Sequence, residues 1–168
     1  MRRALLWTAV IVTALLLQST VFAQIRLGGA KPELIYLVTI AMAILEGPAS
    51  GAVSGFAGSM AQDFLLNQPK GITALTLTLL GYAVGMLRQY IVTPSALLPV
   101  FLVAGGTFGG VLFNGLVRFL LGQLNVSALY LVRIGLLSAA YNAILTPIFF
   151  PLLRRMAEST RTKRVVRW

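Results

Sequence analysis

Cysteine and histidine are both missing from the 168 residues. Without cysteine there is no disulfide and no thiol chemistry; without histidine the usual zinc sites and the commonest general base are gone. Acidic residues are scarce as well, 4 against 14 Lys and Arg, which leaves a formal net charge of +10. Long polar stretches are also wanting. Hydrophobic residues make up 58% of the chain, where soluble domains hold about 45–50%, and the mean hydropathy is +0.87. The positive surplus therefore has no soluble domain on which to build a nucleic-acid groove. Anionic lipid is the counter-charge it fits, and nucleic acid is not an expected partner.

What the sequence does have is apolar runs. A helix supplies about 20 apolar residues to cross the hydrocarbon, and six segments approach that: 4–25, 28–45, 48–66, 72–87, 96–117 and 128–150. Glu46 and Gly47 turn the chain before Pro48, which suits the first turn of a helix, and "NQPKG" (67–71) reads as a loop. The stretch 33–66 also reads as one long broken helix. The expected fold is an all-α integral membrane protein: a six-helix transmembrane domain over 1–153, then a basic tail over 154–168. That tail holds Arg154, Arg155, Arg161, Lys163, Arg164 and Arg167 against Glu158, and Arg2 and Arg3 stand at the other terminus. Positive charge marks the cytoplasmic side, so both termini are expected there, with the tail against anionic lipid. Arg2-Arg3, the apolar run and "VFA" (21–23) have the outline of a signal peptide. The run outlasts the roughly 7–15 residues of such a segment, which favours a retained span.

Small residues recur within these segments at helical spacing. Gly47, Gly51 and Gly55 fall four apart, with Gly58 on an adjacent ridge, and a second set follows at Gly105, Gly106, Gly109 and Gly110. In lipid there is little hydrophobic drive between helices, and close backbone approach rewards association. The first set is a candidate helix-docking strip and the second a further small-residue strip; spacing leaves open whether the neighbour belongs to the same chain.

Asp63 is the one acid placed well inside an expected span. Such a charge finds a partner or a polar cavity. Arg118 and Arg133 approach from the same side, so Asp63 is expected to pair with one of them or to reach water at its helix end. Catalysis lacks its parts: an intramembrane aspartic protease needs two carboxylates sharing a site, and Lys31, Lys70 and Lys163 all fall in loops or the tail. No enzyme, cofactor or metal site is expected. A carrier is a competing reading, with Gln62, Asp63, Asn114 and Arg118 placed to line a small-molecule site, although no internal repeat of the transporter kind is present.

In order and spacing, "LQSTVF" (17–22), "KPEL" (31–34), "EGPASGAVSGFAGSMAQDFL" (46–65), "GITALTLTLLGYAVG" (71–85) and "YNAILTPIFFPLLRR" (141–155) resemble the rod shape-determining MreD family. The resemblance covers the chain to about Arg155. It implies a non-catalytic subunit of the bacterial cell-elongation complex, in the inner membrane, that helps control peptidoglycan synthesis and rod shape. It further implies binding to the MreC-type bitopic scaffold and, through it, links to a SEDS glycosyltransferase with a class B penicillin-binding protein and indirectly to MreB filaments. The implied fold is a bundle similar to the substrate-binding (S) subunits of energy-coupling-factor transporters. That similarity keeps a vitamin-type substrate-binding subunit as the alternative function. On this reading the first glycine strip is a docking face for the partner's membrane helix.

Overall fold

The apolar runs become helices whose order and borders follow the Gly and Pro punctuation. The computed structural model describes residues 2–21, 24, 32–65, 71–91, 97–123 and 127–160. It contains α1 (Arg2–Thr20), α2 (Leu34–Glu46), α3 (Pro48–Leu65), α4 (Ile72–Tyr90), α5 (Leu98–Leu120) and α6 (Ala128–Thr160). Among the described residues there is no strand. Gly47 takes φ +98°, a conformation that side chains with a Cβ rarely adopt, and so ends α2; Pro48 follows as the first residue of α3. The stretch 33–66 is thus two helices joined at a tight turn.

Neighbouring helices run antiparallel. Gly51 of α3 faces Gly81 of α4 and Gly55 faces Leu77, so numbers rise on one helix as they fall on the other. The same holds for α2 with α3 (Ala43 with Gly51, Thr39 with Gly55) and for α5 with α6 (Gly115 with Leu131, Phe108 with Gly135). Gln18 near the end of α1 reaches Ile35 near the start of α2. An up-and-down bundle of six helices follows, with the start of α1 and the end of α6 at one end.

At the centre stands α2, in contact with each of the other five helices. Every residue from Leu34 to Ile44 is buried. Its 13 residues span only about 20 Å, against the roughly 30 Å of a hydrocarbon core. The span expected over 28–45 is therefore shorter in helix: Pro32 and Glu33 are not helical, and 28–31 lie outside the described residues. A buried helix start needs partners for its polar backbone. Here Gln18 Oε1 accepts the Ile35 N–H at 3.2 Å, and Asn142 Nδ2 donates to the Glu33 carbonyl at 3.1 Å.

Two helices, Leu98–Leu120 and Ala128–Ser159, are clearly long and apolar enough to cross a bilayer. Leu5–Thr20 and Leu34–Glu46 are apolar but shorter. In α3 and α4, Gly, Ser and Thr dilute the hydropathy because these two helices bury small residues against each other. The last helix runs further than the expected 150, through Pro147 and Pro151, to Thr160. Proline removes one helical hydrogen bond, but Phe149, Phe150, Leu153 and Ala157 pack on the core across this stretch and hold it helical. The first residues of the basic tail, 154–160, thus belong to α6.

Candidate functional site

Polar side chains gather at the end of the bundle opposite the start of α1 and the end of α6. They come from the start of α2, the end of α3, the start of α4 and the end of α5. Arg118 Nε donates to Asn114 Oδ1 at 2.8 Å, and Asn114 Nδ2 donates to Thr76 Oγ1 at 3.2 Å. Thr76 in turn donates to the Ile72 carbonyl at 2.9 Å, and a second Arg118 nitrogen approaches Thr73 Oγ1 at 3.5 Å. The guanidinium is thereby laid along the α4–α5 wall. Beside it is a cavity of about 90 Å³ lined by Glu33, Tyr36, Gln62, Thr73, Val111, Asn114 and Arg118. The Tyr36 ring is buried, and Glu33, Arg118 and Asp63 all lie close enough to its phenol to act on it electrostatically.

Asp63 has no exposed surface. Its Oδ2 accepts the Gly71 N–H at 3.1 Å, while Oδ1 has no hydrogen-bonding partner. Gly71, at φ +99°, is the residue that caps the start of α4. The carboxylate therefore sits at a helix N-terminus, where the macrodipole favours negative charge, and ties the end of α3 to the start of α4. The structure thus supplies a backbone partner that the arginine-pairing expectation did not include. Arg118 comes to the same end of the bundle and bonds to Asn114 and Thr73; Arg133 is exposed on α6.

The glycine strips divide by what faces them. A Cβ on Gly51 would lie 2.6 Å from Ala43 Cβ and 2.7 Å from the Gly81 carbonyl oxygen. One on Gly55 would strike the Leu77 carbonyl, and one on Gly58 would meet Ile35 at 3.2 Å. This strip is covered by α2 and α4 of the same chain. Gly47 is not part of it: a Cβ there would meet nothing within 4 Å, and its role is the turn. On α5, Gly106 faces Ile40 and Leu80, and Gly110 faces Tyr36 and Leu80. Gly105 and Gly109 have no neighbour within 4 Å and face outward. Beside them an apolar groove of about 170 Å³ runs between α4 and α5, lined by Thr76, Leu79, Leu80, Ala83, Gly109, Gly110 and Phe113.

Sequence reasoning singled out Asp63, Asn114 and Arg118 but not Glu33, Tyr36 or Thr73 as their neighbours, nor Gln18 and Asn142 as the clamp on α2. The signal for Asn142 was present: one amide inside the apolar run 128–150. Thr73 and Thr76, three apart at a helix start, carried a weaker one.

No curated protein and no solved structure matches the chain. The family model described as rod shape-determining protein MreD matches residues 1–156, a stretch that takes in the first five helices and nearly all of α6. The chain belongs to the MreD family of rod shape-determining membrane proteins.

Proposed function

We propose that this chain is a non-catalytic inner-membrane subunit of the bacterial cell-elongation complex, binding the MreC-type bitopic scaffold and so helping to control peptidoglycan synthesis and rod shape. The observation that carries the reading is the family match over residues 1–156. On this reading the chain crosses the membrane several times with both termini in the cytoplasm, and Arg154 and Arg155, both exposed, meet anionic lipid. Contact with a SEDS glycosyltransferase and its class B penicillin-binding protein runs through the scaffold, as does the indirect link to MreB filaments.

The glycine strip of α3 is taken up by α2 and α4, so the partner's single helix is assigned instead to the outward ridge of Gly105 and Gly109 on α5. Small residues there let a helix backbone approach closely. On this reading the bundle shares its architecture with the S subunits of energy-coupling-factor transporters without their ligand-sized pocket. Its polar cavity of about 90 Å³ falls well short of the roughly 300–1,000 Å³ of drug-sized ligand sites, which speaks against a vitamin carrier.

The chain lacks cysteine, so a single introduced thiol reports alone. Gly109→Cys should form a disulfide in cells with a cysteine placed in the scaffold's membrane helix, whereas Ile144→Cys on the exposed side of α6 should not. Cross-linking from α6 and none from α5 would overturn the assignment of the face.

A further inference from the structure

Gln62 is 7% exposed and lines the polar cavity, and its Oε1 has no hydrogen-bonding partner among the described residues. A buried acceptor left unmatched is costly, and hydrocarbon offers it no donor. Tyr36 from α2, Thr73 from α4 and Asn114 from α5 bring hydroxyl and amide groups to the same walls. Val111 is the one aliphatic side chain among the lining residues.

A buried water needs a polar site, room for itself and two to four polar partners. The cavity meets each condition. Its volume of about 90 Å³ is the share of roughly three liquid waters, and the Tyr36 phenol and the Thr73 hydroxyl can each donate or accept. Space alone does not decide the matter. The groove between α4 and α5 is larger, about 170 Å³, but Leu79, Leu80, Ala83 and Phe113 wall it, and an apolar space of that size stays dry.

We propose that this cavity is a water-binding site, holding about two or three ordered waters, one of which donates to Gln62 Oε1. The location gives the waters a purpose. Helix α2 has 13 residues, about 20 Å, against roughly 30 Å of hydrocarbon, and residues at its start, Glu33 and Tyr36, form part of the cavity wall. Water there solvates the start of the short helix and reduces the apolar depth it must cross. The family match makes this a membrane protein; the proposal does not rest on the cell-elongation reading.

The test is hydroxyl-radical labelling of the full chain in lipid nanodiscs by a short X-ray pulse, with oxidation read residue by residue in a mass spectrometer. The radicals form from water, so a side chain beside bound water is oxidised even when buried. Tyr36 is 2% exposed, and Tyr82, halfway along α4, is 51% exposed. Surface exposure alone predicts more label on Tyr82. The proposal predicts the reverse, because the Tyr82 surface meets lipid. Gln62→Met keeps the side-chain length and loses the amide, and is expected to lower Tyr36 labelling about two- to tenfold, the occupancy that one hydrogen bond of ordinary net strength supports. Should Gln62→Met fail to fold, Val111→Leu, which fills part of the space without touching a polar group, carries the same comparison. Labelling of Tyr36 no greater than that of Tyr82, or labelling unchanged in the folded variant, would overturn the proposal.

Discussion

At Gly55 a Cβ would run into the Leu77 carbonyl, whereas at Gly105 and Gly109 it would meet nothing. The residue type and spacing are alike; what differs is the neighbour. Gly55→Leu must therefore push α3 and α4 apart, and the expected outcome is loss of a monodisperse folded peak in detergent chromatography. Gly109→Leu should elute as the parent does. Equal behaviour of the two would contradict the division of the strips. Asp63 offers a second residue-scale test. Its Oδ2 receives the Gly71 N–H, a bond that an amide oxygen can also accept. Asp63→Asn should cost little, and Asp63→Leu about 1–3 kcal/mol by leaving that donor unmatched; chemical or steric unfolding in detergent measures the difference. Both residues were legible in the sequence as unusual. Their partners were not, because helical spacing fixes which residues share a face and not what that face meets.

Among the elements, α2 and α6 depart most from their sequence outlines, for opposite reasons. An apolar run predicts a span from its length, yet α2 needs only 13 residues because other helices shield it all round. Its buried start is held by side chains distant in sequence, Gln18 and Asn142, a dependence that no local pattern announces. Asn142 also donates to Thr107 at 3.0 Å, so one amide joins α2, α5 and α6. Asn142→Leu should lower stability by about 1–3 kcal/mol, given the unmatched groups it leaves; an unchanged unfolding midpoint would show that the clamp is dispensable. In α6 the apolar run was expected to end at 150, and packing of Leu153 and Ala157 carries the helix on to Thr160. The starts of α3, α4, α5 and α6, at Pro48, Ile72, Leu98 and Ala128, fall within two residues of the expected 48, 72, 96 and 128. By contrast, α1 ends at Thr20 against an expected 25, and α4 and α5 end three residues late, at Tyr90 and Leu120.

For the molecule as a whole, six apolar runs foretold six helices among the described residues, and the antiparallel register of their glycines and polar pairs brings the start of α1 and the end of α6 to one side. The polar cluster at the opposite end was half visible, since Asp63, Asn114 and Arg118 stand out against apolar surroundings. Glu33 and Tyr36 joined it only through the placement of α2. The outward ridge of α5 was not separable in sequence from the inward one: Gly105 and Gly109 differ from Gly106 and Gly110 by a single step around the helix. The functional account turns on that ridge and on membership of the MreD family. Its most direct test is co-purification of a tagged copy from native membranes in mild detergent, with the parent and Gly109→Leu compared side by side. The account predicts that the MreC-type scaffold and a wall synthase accompany the parent and that the scaffold is depleted at least tenfold, about 1.4 kcal/mol of lost affinity, with Gly109→Leu at equal expression. Recovery of an ATPase-bearing transport module in place of the scaffold would contradict it.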